Sequence, residues 1–121
     1  MGRKLGILAG DSHLTYTWND VVFTNPIRVV DWEPPFRAAV YAIIIPAEKA
    51  GRFRLIYVGE SGNTSERGFL RSHHKYPCWL KQARSDERIY IGLHLMPNST
   101  AEQRRAVEVR AIGDLELACQ G

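Results

Sequence analysis

A small α+β fold is what this sequence predicts: a central antiparallel or mixed sheet of about three strands flanked by helices, with a β-rich N-terminal extension. Three observations predict it. Ala38 to Ile45 and Arg52 to Gly59 are dense runs of β-branched and apolar residues separated by a short polar connection, which reads as a hairpin. Arg88 to Met96 alternates apolar and polar residues and makes a third strand. Two N-cap patterns, Asn63-Thr-Ser-Glu66 and Ser99-Thr-Ala-Glu102, place helices between and after these strands. The order β, β, α, β, α, with a hairpin first, argues against a doubly wound parallel sheet, and no dinucleotide fingerprint competes.

Taken in chain order, His13 to Trp18 and Val21 to Thr24 read as short strands around an Asn19-Asp20 turn. The segment Asp31-Trp-Glu-Pro-Pro-Phe, whose paired prolines favour extended backbone, separates an N-terminal extension (1–37) from a main unit (38–121) onto which it packs. The helix opened at Asn63 is expected to reach about Lys75, where Pro77 stops it, with Gly68 weakening its interior. A short helical turn over Cys78 to Ala83 follows, and the last helix is expected to run from the second cap to about Leu117.

At 121 residues the chain has room for one domain, and 45% apolar with 24% charged residues is ordinary for a chain that folds by itself. A net charge of +3 and a pI near 9.1 suit a phosphate-rich partner without requiring one. The longest apolar run, Ala38 to Ala47, is far short of the roughly 20 residues of a membrane span, and the first ten residues lack the length of a signal-peptide core. A cytoplasmic location is therefore expected. Cys78 and Cys119 lie far apart with no CxxC pair, so both are expected to be reduced thiols.

The residues that carry chemistry gather on the hairpin and the helices. If the hairpin is symmetric about a connection near Lys49, Tyr41 falls directly opposite Tyr57; a one-residue slip would separate the two phenols. Tyr57-Val-Gly-Glu-Ser61 leads through a Gly-containing turn into a helix N-terminus, a junction that suits a phosphate. On that helix Arg67, Arg71 and His74 share one face, with His73 pointing elsewhere. Glu108 falls inside an apolar arc of Val107, Ala111, Ile112, Leu115 and Ala118, so its carboxylate needs a partner: a metal ion, or Arg104 one turn earlier. A zinc site built from His73, His74 and Cys78 would lack a fourth ligand, and His13 and His94 have no companions.

Ala39-Val40-Tyr41, Tyr57-Val58-Gly59, Arg67 ten residues beyond Tyr57, and Glu108 on the last helix together resemble the GIY-YIG nuclease superfamily over roughly residues 38 to 118. The resemblance implies a metal-dependent endonuclease that hydrolyses phosphodiester bonds in DNA, and it leaves RNA open as a partner. It implies that Tyr41 and Tyr57 orient water and the scissile phosphate, that Arg67 stabilises the transition-state charge, and that Glu108 holds Mg²⁺ or Mn²⁺. His74 is added as a proton shuttle, because an imidazole titrates near neutral pH. Gly59, Ser61, Arg67, Arg71 and Lys75 would contact the nucleic acid. The chain departs from the pattern in Ala39 where a Gly is usual, in its N-terminal third, and in having Gln120 where many relatives have an Asn after the Glu helix. A catalytically silent nucleic-acid-binding module of the same fold is the alternative.

Overall fold

The computed structural model describes residues 15–33, 37–48, 52–64 and 70–121. Their elements in chain order are strands β1 (Tyr16–Trp18), β2 (Val21–Phe23), β3 (Ile27–Arg28), β4 (Ala39–Pro46) and β5 (Phe53–Ser61), helix α1 (Tyr76–Ala83), strand β6 (Tyr90–Leu95) and helix α2 (Ala101–Ile112). β1 and β2 pair with each other, and the other four form an antiparallel sheet in the order β3-β6-β4-β5. The expectation of about three strands is thus corrected to four in the main sheet. The addition is β3, two residues too short to announce themselves in the sequence, which pair with Tyr90 and Ile91.

β4 lies between β5 and β6 and is covered on both faces, which is why its sequence is a continuous apolar run and not an alternating one. On one face Tyr41, Ile43 and Ile45 pack with Trp79 and Ala83 of α1 and with Ile89, Ile91 and Cys119. On the other, Val40, Ala42 and Ile44 pack with Val21 and Phe23 of the β1–β2 hairpin and with Ala111 of α2. That hairpin turns through Asn19 and Asp20, both left-handed at φ 52° and 70°, the pair of conformations that matches strand twist across a two-residue turn. Asn19 Nδ2 then donates to the Ala111 carbonyl at 2.9 Å, tying the turn to the end of α2.

Two helix expectations are corrected. The segment from Asn63 to Lys75 was expected to be helical. Its residues 65–69, with Glu66, Arg67 and Gly68, lie outside the described residues, but 70–75 form turns and not a helix. Pro77, read as a stop signal, stands instead in the first turn of α1, where its missing N–H costs nothing. α2 is capped by Thr100 and not Ser99: its hydroxyl accepts from Gln103 N at 3.1 Å while Gln103 Oε1 accepts from Thr100 N at 2.8 Å. α2 ends at Ile112, before the expected Leu117, because Gly113 turns the chain with φ 51°.

The cysteine expectation is overturned. Cys78 in α1 and Cys119 near the end of the sequence form a disulfide, their Cα atoms 5.8 Å apart across a separation of 41 residues. The segment that carries Cys119 runs along the free edge of β5. Cys119 N donates to the Ile56 carbonyl at 3.0 Å, and the Gln120 side-chain amide accepts from Val58 N at 2.8 Å while donating to Val58 O at 2.9 Å.

Candidate active site

The site is built on the hairpin register. Pro46 pairs with Phe53, and a bulge between Ile43 and Ile44 leaves Ile56 as an extra residue on β5. Tyr41 therefore faces Gly59, and Tyr57 faces Ile43, correcting the expectation that the two tyrosines are directly opposite. The displacement is two residues, so both side chains remain on the same face, as diagonal neighbours with ring centroids 6.1 Å apart.

Gly59 is what lets the rings meet. A Cβ at this position would lie 2.6 Å from the Tyr41 hydroxyl oxygen and 2.8 Å from Tyr57 Cε2. The Tyr41 ring occupies the space above the glycine backbone, an aromatic laid across a cross-strand glycine. We predict that Gly59→Ala forces the two phenols apart and costs about 1–3 kcal/mol, as overpacking in a dense core does, measurable as a lower midpoint in denaturant unfolding.

The Tyr41 hydroxyl is almost wholly buried, which pushes its pKa far up, and the neighbouring Tyr57 adds to the effect. Tyr57 is also raised, by burial first and then by the negative charge of Glu108, while its hydrogen bond with Tyr41 acts in the opposite direction. The two hydroxyls are hydrogen-bonded to each other, and as neutral phenols either can donate.

His73 is the residue the sequence reading missed. It lies against Tyr57, with centroids 5.2 Å apart, and against Trp79 at 4.8 Å. Lys75 N donates to its Nδ1 at 2.9 Å, so the neutral ring carries its proton on Nε2 and presents it to the Tyr57 hydroxyl at 3.4 Å. His74, the expected shuttle, stacks on the outer side of His73 at 4.6 Å and is exposed. The choice between them had rested on helical spacing, and this stretch is not helical; only the alternation of a tight turn separates two adjacent histidines.

Burial first, then the nearby His74 and Lys75, pushes the His73 pKa down to about 4. The folded state therefore releases a proton that the unfolded chain, with an ordinary imidazole near ~6.5, would keep. The His73 contribution is intact above about pH 6.5 and is lost as pH falls toward 4. In His73→Asn, where Oδ1 can still accept from Lys75 N, we predict a smaller loss of unfolding free energy between pH 7.5 and pH 5 than in the wild type.

Glu108 is half-buried on α2, and burial followed by repulsion from Glu60 raises its pKa, with Arg105 partly offsetting. The proposed pairing with Arg104 is not formed. Arg104, only 7% exposed, gives Nε to Glu60 Oε1 at 2.7 Å and Nη1 to the carbonyl and hydroxyl of Ser99 at 2.7 and 3.0 Å. The expected apolar arc is also shorter: Val107 and Ile112 are partly buried and Ala111 fully, but Leu115 and Ala118 lie beyond the helix and are exposed. Glu60, the residue after Gly59, is a second carboxylate whose charge reaches Glu108, Tyr41 and Tyr57. A single charged residue near the end of an apolar strand carries no distinguishing signal, and it was missed.

Among the expected nucleic-acid contacts, Gly59 is buried beneath Tyr41, and Ser61 Oγ closes a local turn by donating to Asn63 O at 3.0 Å. Arg71 pairs with Asp86 at 3.2 Å on the surface, and Lys75 Nζ donates to Gly121 O at 2.8 Å. Arg67 lies outside the described residues. The convergent set is thus Tyr41, Tyr57 and His73, with Glu108 and Glu60 near enough for their charges to act on both phenols. Among the described residues no cluster of three or more His, Cys, Asp or Glu side chains is placed to hold a metal ion by itself. No protein-family model, curated protein or solved structure matches this chain.

Proposed function

We propose that the protein is a metal-dependent endonuclease that hydrolyses phosphodiester bonds in DNA at a GIY-YIG-like site. The observation that carries this reading is the hydrogen-bonded pair of phenols, Tyr41 and Tyr57, laid on one sheet face over Gly59 with an imidazole against the second. Hydrolysis of a phosphodiester needs an oriented water and positive or donor groups where charge develops.

The raised pKa values keep both phenols protonated at neutral pH; Tyr57 acts on a phosphate oxygen or a water, and the buried Tyr41 positions it through their hydrogen bond. His73 Nε2, 3.4 Å from the Tyr57 hydroxyl, donates to that oxygen and so helps turn the phenol's own proton toward substrate. Arg67, by its place in the motif, supplies cationic stabilisation. Glu108 fits a hard divalent cation: its carboxylate is held above its ordinary pKa by burial and by Glu60, and a cation would relieve both costs. Mg²⁺ or Mn²⁺ there, with waters completing the coordination, would act as a Lewis acid toward the phosphoryl oxygen.

Incubation with labelled duplex, flap and single-stranded DNA, with Mg²⁺, with Mn²⁺ and with EDTA, tests the proposal. Metal-dependent cleavage that falls by about 10²-fold in Tyr57→Phe is the expected result. Salt-sensitive binding with no cleavage under any of these conditions rejects it in favour of the silent binding module.

A further inference from the structure

A second feature lies at the opposite end of the same sheet face. There the C-terminal end of β4, the start of β5 and the last turn of α1 enclose a groove of about 1020 Å³. Among the described residues its wall carries Arg54, Lys81, Arg84 and Arg88 against one carboxylate, Glu48. Among the described residues none of these four cations is in an ion pair. Arg54 donates to Gln82 Oε1 at 3.2 Å and Arg88 Nε to the Ala83 carbonyl at 3.0 Å, which hold both guanidinium groups at the wall with donors to spare. Lys81 and Arg84 project from exposed positions at the end of the helix.

Two cations at a helix C-terminus are accounted for by the dipole there, which favours positive charge. Four around one concavity exceed that need and repel one another unless an anion enters. The anion must also be extended, because the cations come from two separate elements, β5 and the α1 end with the turn that follows it. The sheet relates this groove to the phenol pair. Tyr41 and Ile45 face the same side of β4, and Ile45 lines the groove. From Tyr41 to Pro46 the strand advances about 16 Å at ~3.3 Å per residue. One DNA strand places a phosphate every ~3.4 Å along the duplex axis, so this is a step of about five phosphates.

We propose that the groove lined by Arg54, Lys81, Arg84 and Arg88 docks the phosphate backbone of duplex DNA about five nucleotides from the bond held at Tyr41 and Tyr57. The proposal rests on the nuclease reading of that pair and adds a second point of contact to it. A stiff duplex spans both points without the ordering cost that a flexible single strand would bear. Backbone contacts of this kind fix register and orientation and carry no sequence information.

The test is Lys81→Gln/Arg84→Gln, two exposed changes outside the core, checked for an unchanged melting temperature. Binding of a fluorescent 20-base-pair duplex is measured by anisotropy in EDTA over a range of salt concentrations. The expected result is about 10-fold weaker binding and a log–log salt slope shallower by about 1.8, the loss of two phosphate contacts. Equal affinity and slope in variant and wild type overturn the groove while leaving the phenol site untouched. A wild type that binds no duplex at low salt overturns the nuclease reading as well. Displacement of the duplex by polyglutamate at equal charge concentration overturns it in favour of an acidic protein partner.

Discussion

Glu108→Gln is expected to abolish metal-dependent cleavage, with a loss of about 10³-fold, while leaving the fold intact. In the proposed reading this carboxylate is the hard-oxygen donor to the divalent ion, and a neutral amide holds Mg²⁺ far more weakly. Its effect on stability has a definite sign. Burial and Glu60 favour the protonated form of Glu108 in the folded state, so the group is stabilising only below its ordinary pKa and becomes costly as pH rises through its raised one. A melting temperature equal to or above that of the wild type at pH 7, with the advantage shrinking at acid pH, is therefore expected. Glu60→Gln is the contrasting variant. Arg104 is buried and its Nε donates to Glu60, so weakening that bond should cost on the order of 3 kcal/mol. If Glu108→Gln is the unstable variant and Glu60→Gln the stable one, the assignment of the two carboxylates is wrong.

The second large effect is on stability. Cys78 and Cys119 close a loop of 41 residues, and removing that closure frees unfolded-chain entropy equivalent to about 4 kcal/mol. Cys119→Ser, or the wild type in excess reductant, should show a loss of that order in urea unfolding. The loss should not stop at stability. Cys119 sits beside Gln120, whose amide grips both backbone groups of Val58, and Val58 lies between Tyr57 and Gly59. Freed of its tether, the segment should release β5 more often, seen as faster hydrogen exchange of the Val58 amide. Unchanged exchange at Val58 in the reduced protein would mean that Gln120 holds its place without the disulfide.

The elements that were legible in the sequence are those decided within a few residues. The β1–β2 turn needs left-handed backbone, and Asn19-Asp20 is a pair that tolerates it. The β4–β5 hairpin follows from two apolar runs and a polar break, and α2 from its cap, misplaced by one residue. What escaped was decided at a distance. The register depends on a bulge at Ile56, whose carbonyl is taken by Cys119 far along the chain. The disulfide pairs cysteines with no local spacing signal. Of the candidate site, the same-face placement of Tyr41 and Tyr57 survived the register error because a shift of two residues preserves the side of a strand. The choice of His74 did not survive, because it assumed a helical period where the chain makes turns.

β5 forms one border of the sheet, and from Leu55 to Val58 it is apolar and buried on both faces. A border strand of that composition, with its peptide groups unpaired, is a template onto which another chain's strand can add, the first event of fibril growth. The Gln120 amide imitates a peptide unit: one carboxamide takes the donor and the acceptor that a foreign strand would need at Val58, and Cys119 N takes the carbonyl at Ile56. By occupying those positions without continuing as a strand, residues 119 and 120 end the sheet where further growth would bury the tyrosine pair's supporting strand in an aggregate.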